Sequence, residues 1–152
     1  MSTPLGKNFS LLTKYYIGIV SQKLSDLEID RYFYPIVVIN ETENAMCQKE
    51  LAQCIGADNI AMVRIVDYLS DKGFIKRIQN KNDRRAYHLI LTEKAQKTLP
   101  KIKSAFEEAN EICFNGFKKS EKEEFQRMLI KMNDNLVNHP RVEVKLNFKK
   151  IK

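Results

Sequence analysis

With 152 residues, 43% of them hydrophobic, and a formal net charge of +7, the chain has the composition of one globular, basic domain. That balance excludes a disordered polyelectrolyte, and no apolar run approaches the ~18 residues of a membrane span. The opening MSTPLGKNF lacks the basic-then-apolar pattern of an export signal, so a cytoplasmic location with no membrane partner is expected.

The positive charge is concentrated. Residues 71–85 hold six basic and two acidic side chains and residues 141–152 hold five and one, so each segment carries +4 and the remainder is close to neutral. Two local basic sites suggest a polyanionic partner more than a generally solubilised surface.

In chain order, residues 9–27 repeat apolar side chains at three and four (Leu12, Tyr15, Tyr16, Ile19, Val20, Leu24, Leu27) and predict an amphipathic helix. Asp30 is placed to cap a second, mostly buried helix through RYFYPIVVIN, in which Pro35 forces either a kink or a later start. After the polar ETENAM, QKELAQCI predicts a short helix with Cys47 at its N-cap and Glu50 three residues on, the capping-box spacing with a thiol in place of a hydroxyl. Gly56 breaks the chain, Asp58 caps NIAMVRIVDYLSDK, and Gly73 ends it. Two helices joined by a few residues around a glycine form a helix-turn-helix pattern. In the second of them Ile60, Val63, Val66 and Leu69 are expected to hold the core, with Asn59, Arg64 and Asp67 facing out.

FIKRIQ and AYHLIL predict two strands of a hairpin whose tip is NKNDRR. Thr92 caps a long helix, TEKAQKTLPKIKSAFEEANEICFNGF, with Ala95, Leu99, Ile102, Phe106, Ala109, Ile112 and Cys113 along one side and Pro100 bending its early turns. So long a helix in so small a protein implies a partner surface for its apolar stripe. Gly116 closes it, Ser120 and Glu123 predict the cap of a final helix carrying Phe125, Met128, Leu129, Met132 and Leu136, and Pro140 ends that. The tail RVEVKLNFKKIK alternates with the strand period, and is either disordered or an added strand.

The order is therefore mainly α with a small β wing, a winged helix-turn-helix at about 31–92. In such an arrangement a helix fits the major groove of duplex DNA, while a narrow basic loop reaches the minor groove or its phosphates. Asn59 and Arg64 on the second helix of the pair, and Lys76, Arg77, Lys81, Arg84 and Arg85 on the hairpin, are the candidate contacts, with Lys72, Lys76, Arg77 and Lys81 read as phosphate partners.

KELAQCIG, VRIVDYLSDKGFIKR and NDRRAYHLILTEKA together resemble the MarR family, the multiple-antibiotic-resistance regulators, and the helix order matches over about 9–138. The resemblance implies a single domain over 1–152 that forms a homodimer through helices at about 9–28 and 93–138, with a tail at 140–152 outside the pattern. It implies two recognition helices and two wings set against a pseudo-palindromic operator in double-stranded DNA. It also implies that Asp83 orients the wing arginines, that Arg85 enters or borders the minor groove, and that Arg64 contacts the backbone or a guanine edge. A small aromatic or anionic effector would bind between the long helix and the first two, for which Tyr15, Tyr16, Tyr32, Phe33 and Tyr34 are the candidate lining. Two departures stand out: Ile60, Ala61 and Val63 replace the Ser or Thr frequent in the family, so specificity is expected to lean on Asn59, Arg64 and thymine-methyl contacts or on DNA shape, and the first helix has no cysteine, unlike the peroxide-sensing members.

No catalytic or cofactor motif is present: no G-x-S-x-G, no H-E-x-x-H and no phosphate-binding glycine loop. Cys47, Cys54 and Cys113 are odd in number and without zinc spacing, so neither a disulfide framework nor a metal is expected, and the thiols are read as buried or half-buried. His88 reads as a surface or hinge residue, and Glu107, Glu108 and Glu111 as a solvated face. The functional expectation is a repressor modulated by an effector. Its alternatives are an effector-independent or architectural DNA-binding protein and a winged-helix module that binds protein.

Overall fold

Local capping chemistry decides where most of the helices start. The computed structural model describes residues 4–42, 46–80 and 87–140. In it α1 runs Leu5–Lys23, α2 Tyr34–Glu41, β1 Met46–Cys47, α3 Gln48–Ile55, α4 Asn59–Asp71, β2 Ile75–Gln79, β3 Tyr87–Leu91, α5 Glu93–Cys113 and α6 Lys119–Val137. The architecture is mainly α with a small antiparallel β wing. The chain divides within α5 into a unit ending at Ala109 and one beginning at Asn110.

In the first unit, α1 stops at Lys23 and the chain tightens into a 3₁₀ turn at Ser25–Leu27, where one long helix was expected. The following Glu28 has φ 52°, a left-handed conformation that breaks the helical path. Pro35 does not kink α2: it stands in the first turn, where its missing N–H costs nothing, so the helix starts late. Asp30 is not its cap. Its N–H donates to the Tyr68 hydroxyl, which itself donates to the Glu28 carbonyl, tying this loop to α4.

The α3–α4 turn follows its expected chemistry. The Cys47 N–H donates to Glu50 Oε2 at 2.6 Å, and Asp58 Oδ1 accepts from the Ala61 N–H at 2.8 Å. Between the helices Gly56 takes φ 67°, where a Cβ would be strained, and the Ala57 N–H closes onto the Ala52 carbonyl.

Three strands form one sheet in the order β1-β3-β2, all antiparallel, with Met46 opposite Leu89 and Ile75 opposite Leu91. Two-residue β1 went unread in the sequence because so short a segment carries no period. Its pairing makes β3 the central strand. On β2 only Ile75 is buried, and the next four residues are exposed, so the hairpin leaves the core after one residue. The expected tip falls at residues 81–86, and Lys81, Asp83, Arg84 and Arg85 lie outside the described residues, as do positions 141–152 of the tail.

One junction joins hairpin, α4 and α5. Gly73 ends α4 at φ 76°, and the Thr92 hydroxyl donates to its carbonyl at 2.6 Å while accepting from the Ala95 N–H at 3.2 Å. The Thr92 N–H donates to the Phe74 carbonyl, Lys94 Nζ donates to the Lys72 carbonyl, and the Lys94 ammonium lies 4.6 Å from the centre of the buried Phe74 ring. Around this the core gathers Phe33, Ile36, Leu51, Met62, Leu69 and Ile102, all at or near zero exposure.

α1 and its following turn are strapped to α5 by Lys23–Glu108 and Lys101–Asp26 ion pairs. The hydrogen bond from Lys101 holds the Asp26 carboxyl below its ordinary range, and the bond from Lys23 does the same for Glu108, so both stay charged into mild acid. Glu108 is therefore an inter-helix strap and not only part of a solvated face.

In the second unit, the final helix is capped two residues earlier than expected. The Lys118 N–H donates to Glu121 Oε2 at 2.7 Å, and Ser120 lies inside α6. Lysine offers no acceptor of its own, so the acidic residue three positions on decides the start. Phe114 packs edge-on against Phe117 and Phe125. Ile112 and Cys113, expected on the covered stripe of α5, are exposed, as is Cys54, and Cys47 is half-buried.

Thr92→Val, which keeps the shape and removes both side-chain bonds, is expected to lower the unfolding free energy by about 1–2 kcal/mol, whereas Thr92→Ser keeps most of it. Urea denaturation of the three chains measures the difference.

Candidate nucleic-acid interface

The site is built on α4 and β2. Asp58 sets the start of α4, and Met62, Val66 and Leu69 fasten its inner face with no exposure at all. That geometry leaves Asn59, Ile60, Val63, Arg64 and Asp67 exposed. Asn59, Arg64 and Asp67 were expected there, whereas Ile60 at 58% and Val63 at 42% exposure were expected in the core. Residues three and four apart share a helix face, so Ile60, Val63, Arg64 and Asp67 form one continuous outward strip.

Arg77 is the charged link between that strip and the wing. Its Nη2 donates to Asp67 Oδ1 at 2.6 Å and to Gln48 Oε1 at 3.3 Å, joining β2 to both helices of the helix-turn-helix. Its charge is thus partnered within the chain, and in exchange the acidic Asp67 is neutralised at a place where a phosphate would be repelled. Neither role was legible, because the Asp67–Arg77 pairing crosses from helix to strand; from sequence Asp67 reads as an outward-facing residue of α4. Lys76, next along β2, is exposed and by strand alternation points to the opposite face from Arg77.

Below the strip, the Cys47 N–H holds the Glu50 carboxyl under its ordinary range. His88 is half-buried, pairs across the sheet with Cys47 and Ile78, and leaves Nδ1 without a hydrogen-bond partner among the described residues. No group of three or more metal-ligating side chains occurs among the described residues, and no helix there is long and apolar enough to cross a membrane.

The aromatic set splits four ways. Phe33 is core at 1% exposure, and Tyr15 is exposed. Tyr32 meets Tyr68 edge-on at 5.4 Å, with Arg31 over its ring. Only Tyr16 and Tyr34 converge, each 6.3 Å from the ring of Phe106 on α5, a residue the sequence reading had assigned to the stripe alone.

Residues 35–87, from α2 to the start of β3, match the model of the MarR family. Over that third of the chain the sequence is similar to the MarR family. A MarR transcriptional regulator from Methanosarcina mazei Go1 is similar at 28% identity, with a TM-score of 0.80 over 88% of this chain and 96% of that one. A MarR protein from Peptoclostridium difficile shares the fold at TM-score 0.84 and 24% identity over 91% and 90%. A MarR-family protein from Listeria monocytogenes, solved with a 26mer DNA, shares it at 0.81 and 22% over 92% and 99%. The winged helix-turn-helix fold and this partial match support a DNA-binding transcriptional regulator.

Because the Arg77–Asp67 pair is half exposed, Arg77→Ala and Asp67→Asn should each cost under about 1 kcal/mol of stability. Their effects should be non-additive. A double-mutant cycle by chemical denaturation reads the coupling, and strict additivity would remove the link.

Proposed function

We propose that this chain is a cytoplasmic, homodimeric repressor that reads a pseudo-palindromic operator and loosens its hold when a small aromatic or anionic effector binds. The domain is the whole of 1–152, with the winged helix-turn-helix at about 31–92 and dimerisation helices at about 9–28 and 93–138. Asn59, Arg64, Lys76, Arg77, Lys81, Asp83, Arg84 and Arg85 form the DNA-contacting set.

The observation that carries the DNA reading is the exposed strip of α4 joined by Arg77 to the root of the basic hairpin. A helix whose inner face is locked by Met62, Val66 and Leu69 presents its outer face rigidly, which direct readout requires. Arg77 contributes to this set chiefly by holding β2 against α4, and Lys76 by its charge.

Dimerisation is supported by apolar surface left uncovered on two elements. On α6 these are Phe125, Met128, Leu129, Ile130, Leu136 and Val137; on α1 they are Leu5, Leu11, Leu12 and Tyr15. The turn before α6 adds an open hollow of about 690 Å³ lined in part by Phe117, Phe125 and Met128. So much exposed hydrocarbon is characteristic of an association surface. The effector reading is supported by Tyr16 and Tyr34 flanking Phe106, which offer apolar area with hydroxyls. A ligand there bears on α5, whose first turn is tied through Thr92 to the hairpin, and it acts by binding one spacing of the recognition helices better than another.

Fluorescence anisotropy with a duplex selected by the full-length chain from a random pool tests the docking. Arg64→Ala and Arg85→Ala are each expected to bind more weakly, and loss of a phosphate contact lowers the salt slope by about 0.9. Binding at wild-type strength by both variants would show that α4 and the wing dock differently. In sedimentation, the chain should run as a dimer at micromolar concentration; a stable monomer there would remove the dimer.

A further inference from the structure

We infer that Ile60 and Val63 are specificity-determining residues that select thymine in the operator by contact with its 5-methyl group. The inference rests on α4 being the groove-facing helix, and deepens that reading from duplex DNA to a base class.

The exposure of these two side chains is what needs explaining. α4 has apolar residues to spare: its inner face is already closed by Met62, Val66 and Leu69, yet Ile60 and Val63 stand on the outer face at 58% and 42% exposure. They are three apart, in the first two turns, and therefore adjacent on the surface. Their surroundings are those of a polyanion site. Arg64 follows on the same strip, Asn59 precedes it, and the acidic Asp67 one turn further on is neutralised by Arg77. A protein partner would find a narrow two-residue apolar strip bordered by cations. The floor of a major groove matches it better, because it is framed by phosphates and its apolar feature is the thymine methyl.

Selectivity follows from both sides of that contact. Branched side chains held at a helix surface present rigid methyl groups and no hydrogen-bond capacity. Opposite a thymine they bury its methyl; opposite the N4 amino group of cytosine or the O6 of guanine they strip water from a polar edge and return no partner. Asn59, immediately before Ile60, carries the amide that suits the N6 and N7 of adenine, so the N-terminal end of α4 as a whole is chemically matched to A·T pairs.

The test removes single methyl groups from the DNA. Duplexes selected by the full-length chain from a random pool are remade with deoxyuridine in place of thymidine, one half-site position at a time. Affinity is expected to fall about fourfold at each position read, equivalent to ~0.8 kcal/mol for a buried methyl-sized group. Ile60→Ala and Val63→Ala should each abolish the difference at one position while leaving the melting temperature unchanged, since neither side chain is in the core. Tight, salt-dependent binding that is indifferent to every such replacement overturns the inference and leaves the DNA-binding function standing. Persistence of the thymidine preference in the double variant overturns it as well. Failure to enrich any duplex overturns it together with the function beneath it.

Discussion

The ends of three elements, α4, β3 and α5, meet at the hydroxyl of Thr92. By donating to the Gly73 carbonyl and accepting from the Ala95 amide it fastens the end of α4 to the start of α5 at the point where β3 finishes. Gly73 can present that carbonyl because its φ of 76° turns the chain out of α4 sharply enough for Phe74 to enter the core. α4, the hairpin and α5 consequently share one fixed corner.

Against that corner, α4 is organised as two opposed faces. The inner face, Met62, Val66 and Leu69, is apolar and anchors the helix; the outer face mixes Asn59, Ile60, Val63 and Arg64 and is exposed. Arg77 completes the arrangement from the strand side by binding Asp67 and Gln48 in one grasp. It couples the wing to both helices of the turn and removes the one negative charge on the strip. The MarR-like fold accounts for why these pieces occur in this order, and the placement of the individual side chains gives the outer face of α4 its mixed polar and apolar character.

Much of this was legible residue by residue. The bounds of α3, the Asp58 cap, the glycine stops and the Thr92 start depend on interactions within about four residues, and local pattern states them directly. Where the reading failed, a distant group had intervened. Asp30 was drawn away from α2 by Tyr68, 38 positions along the chain. β1 exists because β3 pairs with it. The cap of α6 is the local exception: two acidic residues compete for the start, and Glu121, three positions on, reached back to the Lys118 amide ahead of the Ser120–Glu123 pair. The candidate site divides in the same way: Asn59 and Arg64 were recognisable on α4, whereas Arg77 as a strut and Phe106 as the meeting point of two tyrosines depended on partners in other elements.

The sequence by itself determined the kind of protein: helix periods, caps and turn glycines in a winged helix-turn-helix order, with a basic hairpin, are all short-range information. Only the tertiary structure decided which apolar residues of α4 are core. Periodicity reports that a helix has an apolar side but not how wide a stripe its neighbours will cover. Packing closed over Met62, Val66 and Leu69 and stopped short of Ile60 and Val63. Whether a hydrophobic side chain anchors the fold or faces a ligand is settled by what lies above it, and that comes from elsewhere in the chain.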